Sequence, residues 1–339
     1  MRRVNSWDEF QPLEELLVGN VYDSSFFDDV KEIRARDALK KIIDETKEDL
    51  DNFIKTMQSH NIKIYQPDIK ELGYYKDSIM EYVNSQGELG YKKNAGETVS
   101  KHDRSLYDTG IKTNLIPDPP LQPRDDSIIM GNKLLVTDPG TFSTKAMLPK
   151  FKEWFGEENV DTSVTNYKFT RTTRNIKSLL RKNNKEITPE NIELIKKENL
   201  LSAFCSPNLT RIGTTCLVDS WQISSLIKDF LSIEYPQFNY KKIYIGGHND
   251  AVFSVIKPGV VIGSSSLKPY EDVFKDWEII WFDDPNWKTI KFWKDLKQKN
   301  QGKWWVPGEE NNDEFTFFVE SFLPNWTGFV EETIFDVNC

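Results

Sequence analysis

His248 and Asp250 stand two residues apart in Gly246-Gly247-His248-Asn249-Asp250-Ala251-Val252-Phe253. An imidazole titrates near neutral pH and can pass a proton in either direction. A carboxylate beside it can hold a cation. Side chains two positions apart on a strand share a face, so this spacing predicts that both groups project together where a strand opens. Apolar residues then alternate toward Pro258-Gly259, which predicts a turn into a second strand, Val260-Val261-Ile262-Gly263. The competing reading of His248 is a hydrogen-bonded structural histidine. The other two histidines, His60 and His102, lie in polar surroundings without such company. The three cysteines are Cys205, Cys216 and Cys339. So odd and sparse a set argues against a disulfide framework and predicts a reducing, cytoplasmic setting. No Cys/His cluster at ligand spacing marks a metal site, and no glycine-rich loop marks a phosphate site. No cofactor is expected.

The elements that must position these groups alternate between strand and helix. A strand is predicted around Leu13–Gly19, a long surface helix over 30–60 and a strand over 62–65. Residues 70–115 are polar and irregular, and read as a surface excursion or lid. Gly131-Asn132 between two apolar runs predicts a hairpin, followed by a helix near 145–156. A basic helical stretch covers 166–199. Strand, turn and strand recur over 200–218, with a helix over 219–233. The same pattern repeats over 241–265, with a helix near 269–276 and a strand over 277–282. The chain ends in an apolar, alternating run.

Recurrence of strand–turn–strand–helix units predicts an α/β fold of repeated small modules. The 339 residues carry a net charge of −9, with 38% hydrophobic and 29% charged residues. That balance fits a globular protein and disfavours duplex nucleic acid as a partner. The basic run from Arg171 to Lys185 reads as a solvated helix face. No apolar run approaches the roughly 20 residues of a membrane-spanning helix, so no membrane partner is expected.

Several segments together resemble the amidinotransferase family. Asn5-Ser6-Trp7-Asp8 with Leu13-Glu14-Glu15-Leu16-Leu17-Val18-Gly19 is similar to its opening N-x-W-D-x-L-E-E-V-x-V-G. Pro123-Arg124-Asp125 with Gly131-Asn132 resembles its P-R-D…G-N hairpin. The run from Phe204 to Gly213 resembles its F-D-A-A-D/N-x-x-R-x-G. His248-x-Asp250-Ala251-x-Phe253 with Lys257-Pro258-Gly259 resembles H-I-D-A-T-F…G-P-G, and Phe335-Asp336-Val337-Asn338 resembles S-M-N-V. The five lie in family order over nearly the whole chain. The resemblance implies one domain over 1–339, a pentein-type α/β-propeller of five ββαβ modules whose last is incomplete. It also implies a reaction. A Cys thiolate attacks the guanidino carbon of arginine, ornithine leaves, and an acceptor amine, glycine by default, takes the amidino group from sulfur. By position, His248 would be the general acid/base. Asp125 and Asp250 would hold the planar guanidinium, which carboxylates grip in bidentate pairs. Arg124 is a further substrate-contact candidate in the same motif. The implied partners are small molecules, with a homodimer or a companion subunit as the protein partner.

Three departures bear on activity. The family's nucleophile motif, G-G-x-H-C, does not occur in this sequence. The expectation is therefore a chain that lacks the end of its last module, Cys339 being a terminal residue rather than the nucleophile. Cys205 stands where the family has the Asp that orients its His; it is read either as a substitute nucleophile or as an inert thiol. Leu267 falls near the family's carboxylate-reading Arg, with Lys268 adjacent as a substitute. Three functions remain in view. One is an amidinotransferase, one is an inactive guanidino-compound-binding relative or half of a split enzyme, and one is a deiminase-type hydrolase.

Overall fold

The computed structural model describes residues 4–28, 33–72, 119–139, 142–164, 201–220, 222–245 and 248–281. Residues 73–115 of the excursion predicted over 70–115, the basic stretch over 166–199 and the closing run lie outside them, as do Gly246, Gly247 and Cys339. The chain divides into two units. One takes the described residues of Met1–Pro12 and Gln122–Pro285, the other those of Leu13–Leu121.

The first unit is built from one motif used three times. An antiparallel hairpin leads into a helix, and the next strand returns parallel to the hairpin's second strand. In the first copy β3 (Ser127–Met130) pairs with β4 (Lys133–Val136), α2 (Phe142–Phe155) crosses, and β5 (Val160–Asp161) lies beside β4. In the second, β6 (Leu209–Ile212) pairs with β7 (Thr215–Asp219), α3 (Ser225–Glu234) crosses, and β8 (Asn239–Ile243) lies beside β7. In the third, β9 (Phe253–Lys257) pairs with β10 (Val260–Gly263), a 3-10 segment (Ser265–Phe274) crosses, and β11 (Glu278–Trp281) lies beside β10. Each hairpin turns on a glycine at positive φ, 68° at Gly131, 59° at Gly213 and 82° at Gly259. L side chains avoid that region, which is why glycine recurs there.

Local sequence explains the helices. Ser224 caps α3, its hydroxyl accepting from the Ile227 amide at 3.3 Å. Leu226, Ile227, Phe230 and Leu231 then fall on one face and are buried. They join β3, β4, β6 and β7 residues, among them Met130, Leu135, Leu209 and Val218, in one core. A second core gathers Leu217, Ile243, Phe253, Val261, Leu267 and Phe274. The crossing of the third module, predicted as an α-helix, is a 3-10 segment interrupted at Tyr270.

The N-terminal segment is stitched to the first hairpin. Ser6 and Gly131 exchange backbone hydrogen bonds of 2.9 and 3.0 Å, and the Trp7 ring lies where a Gly131 side chain would begin. The second unit pairs β1 (Glu15–Leu17) with β2 (Lys63–Tyr65) in parallel, joined through α1 (Ile33–Ser59). No helix among the described residues is long and apolar enough to cross a membrane.

Candidate functional site

Each of the three hairpins is preceded by a single helical turn. These are Pro123–Asp126 before β3, Ser206–Asn208 before β6 and Asn249–Ala251 shortly before β9. Because the three modules repeat, the three lead-in turns meet at one end of their hairpins. The Thr137 amide donates to the Asp126 carbonyl at 2.8 Å and the Ser264 amide donates to the Val252 carbonyl at 2.8 Å. These are equivalent bonds, each fastening a lead-in turn to the end of its own second strand. The Phe204 amide donates to the Thr137 carbonyl at 3.0 Å. The buried Ser206 hydroxyl bonds the Arg124 carbonyl and lies 3.0 Å from that of Ser127. Asn249 Nδ2 donates to Thr210 Oγ1 at 3.1 Å.

The candidates for catalysis and for holding the guanidinium all lie on these turns or at their caps. Asp125 and Arg124 belong to the first, Cys205 is the N-cap of the second, and His248 is the N-cap of the third, which carries Asp250. Cys205 Sγ lies 3.2 Å from His248 Nε2. The Asp125 carboxylate joins them, the three donor atoms all falling within 4.8 Å of one another. Asp125 and Cys205 are half-buried and His248 is exposed.

Asp250 does not share a strand face with His248. The chain between them turns, and β9 begins only at Phe253. His248 therefore reaches Cys205, while Asp250 forms an ion pair with the Arg124 guanidinium. Glu9 Oε1 lies 3.6 Å from the other guanidinium nitrogen. Burial works against the Arg124 charge, but Glu9, Asp250 and Asp125 outweigh it and raise its pKa. Burial raises the Glu9 carboxyl above its ordinary value, against the pull of Arg124 and Arg211. Arg211 is held under β3, one nitrogen donating to the Ser6 carbonyl and hydroxyl at 2.9 Å each and to the Ile129 carbonyl at 2.6 Å. Burial lowers its pKa.

The Cys205 thiol is pushed up to about 12, first by burial and then by the negative charges of Asp125, Asp126, Asp250 and Asp138. At neutral pH it is a thiol and a weak nucleophile. Leu267 is fully buried in the second core. Lys268 beside it places its ammonium 5.5 Å from the centre of the Trp281 ring. Three buried polar atoms at or beside the turns, Asn208 Oδ1, Asn249 Oδ1 and Thr137 Oγ1, have no hydrogen-bond partner among the described residues.

Sequence reasoning missed Glu9 and Ser206. The family resemblance puts Asp125, Cys205 and His248 at one site, but their approach as a set of metal-donor atoms shows in no ligand spacing, because the three are far apart in the chain.

No family model and no curated protein matches the sequence. Among solved structures the chain is similar in fold to amidinotransferases. SxtG, an amidinotransferase of the saxitoxin biosynthetic pathway from Microseira wollei, is 14% identical with a TM-score of 0.49, over 84% of this chain and 78% of that one. The inosamine-phosphate amidinotransferase StrB1 from Streptomyces griseus is 15% identical with a TM-score of 0.45, over 83% and 76%. A dimethylarginine dimethylaminohydrolase is 8% identical with a TM-score of 0.40, over 81% and 78%.

Proposed function

We propose that the protein handles a guanidino compound at the three lead-in turns, in the manner of an amidinotransferase. The substrate class is arginine-like, and the reaction is transfer of the amidino group to an acceptor amine, glycine by default. The observation that carries this reading is the charge and placement of the turns. Asp125 and Asp250 stand on the first and third turns, and Asp250 already binds one guanidinium, that of Arg124. A carboxylate that already accepts from one guanidinium nitrogen of Arg124 has the charge and the placement to accept from a substrate guanidinium. His248, exposed and beside Asp125, is the group that would return a proton to the leaving amine and take one from the incoming amine. Five ββαβ modules around this site complete the proposal for the whole chain.

Cys205 specifically favours a second reading. Its raised pKa weighs against a thiolate at this position. In that reading the protein binds a guanidino compound without turning it over, or completes the reaction with a thiolate from a companion subunit. Product analysis separates the readings. The full chain is incubated with isotope-labelled arginine and glycine and the products are resolved by mass spectrometry. Ornithine with labelled guanidinoacetate supports transfer, citrulline indicates hydrolysis, and unchanged arginine with retained binding indicates the second reading. Turnover undiminished in His248→Asn would remove the role given to His248.

A further inference from the structure

We propose that Asp125, Cys205 and His248 form a site for one thiophilic divalent cation, Zn2+ fitting the donor set best. A carboxylate oxygen, a sulfur and a ring nitrogen lie within 4.8 Å of one another, and Sγ and Nε2 are 3.2 Å apart. Around tetrahedral zinc, with bonds of about 2.0–2.3 Å, donor atoms stand roughly 3.3–3.8 Å from each other. The sulfur and the ring nitrogen are therefore close to the required spacing as they stand, with the Asp125 oxygen within 4.8 Å of both. Each donor comes from a different lead-in turn, and the Ser206 hydroxyl ties the first turn to the second.

Donor chemistry selects the metal. Sulfur and imidazole favour zinc over magnesium or calcium, which take oxygen ligands. Charge points the same way, because Asp126, Asp138 and Asp250 also act on the Cys205 sulfur. That field opposes a lone thiolate and attracts a dication. As the Zn–S bond forms, the Cys205 proton passes to solvent. Three protein donors leave the fourth position to water or a ligand, as in catalytic rather than structural zinc sites.

This proposal does not rest on the guanidino reading. Arg124 and Asp250 are outside the donor set; zinc and a guanidinium would compete for Asp125, and bound zinc would occupy the His248 nitrogen that the guanidino reading uses for proton transfer.

The test is a titration of the chelator-treated full chain with Co2+, a spectroscopic stand-in for Zn2+. The expected result is a thiolate-to-cobalt charge-transfer absorption in the near ultraviolet, with visible bands of a tetrahedral ion. Both saturate at one equivalent and vanish on adding Zn2+. Cys205→Ser removes the charge-transfer band. Asp125→Asn and His248→Ala weaken Co2+ binding by at least the roughly 10- to 100-fold that loss of an outer-shell partner costs. Asp250→Asn keeps the band. Zn2+ also raises the Tm of the unmutated chain, a measurement that needs no variant. Absence of the band, its survival in Cys205→Ser or an unmoved Tm overturns the proposal. Arginine binding is measured separately: its absence in a chain that binds Co2+ would fail the guanidino reading alone.

Discussion

Asp250 carries a guanidinium of the protein's own. The Arg124 side chain is 45% exposed and that of Asp250 15%, so the pair sits at the edge of the solvent. Exposed ion pairs contribute about 1 kcal/mol or less. A substrate guanidinium can therefore displace Arg124 at modest cost. Arg124→Ala is expected to raise affinity for arginine up to about fivefold, since 1 kcal/mol corresponds to roughly that ratio. A tenfold loss in calorimetry would mean that Arg124 contacts the ligand instead of competing with it. Cys205 makes a second prediction. Its pKa is raised, so the thiolate fraction at pH 8 is far below that of a free cysteine and grows only as pH climbs toward 12. Iodoacetamide labelling of Cys205, followed by mass spectrometry of metal-free protein, should be slow at pH 8 and accelerate through pH 10. A labelling midpoint near the free-thiol value of about 8.5 would contradict the charge environment described.

At the scale of elements, three hairpins each place one helical turn at the same end, and the site consists of those turns. The Ser206 hydroxyl is the fastener, bonding carbonyls of Arg124 and Ser127 while its residue is 1% exposed. Ser206→Ala leaves buried acceptors without their donor, at a cost of about 1–3 kcal/mol. It should lower Tm and weaken arginine binding together; a loss of stability with unchanged binding would show that the turns do not depend on it. The first hairpin has a sharper constraint. At Gly131, φ is 68° and an added Cβ would come within 3.0 Å of the Trp7 ring. Gly131→Ala is expected to destabilise the first unit by about 1–3 kcal/mol. A denaturation midpoint equal to that of the unmutated chain would contradict this. Much of this scale was legible beforehand. Gly131-Asn132 announced its turn, and Pro258-Gly259 announced another. The strand-face argument for His248 and Asp250 failed because Asn249–Ala251 forms a 3-10 turn, whose side chains do not alternate.

Across the whole molecule, the sequence carries the module pattern but not its consequence. Alternation and turn residues mark hairpins and helices one at a time. The approach of Cys205 to His248 depends on how consecutive modules stack, a property of tertiary packing that no local window contains. Glu9 illustrates the same point: its segment lies far from Arg124 in the chain, and the Ser6–Gly131 pairing brings the two together. The overall charge of −9 adds an attractive field for a cationic ligand, and added salt screens it. The central claim is that the carboxylates of the lead-in turns hold a guanidinium. Calorimetric titration of the full, metal-free chain with arginine and with citrulline, its neutral counterpart, tests it most directly. The account predicts binding of arginine, little binding of citrulline, and a loss of roughly 10- to 100-fold in Asp125→Asn, the worth of one charged hydrogen-bonding partner. Equal affinity for both ligands, or an unchanged affinity in Asp125→Asn, would contradict it.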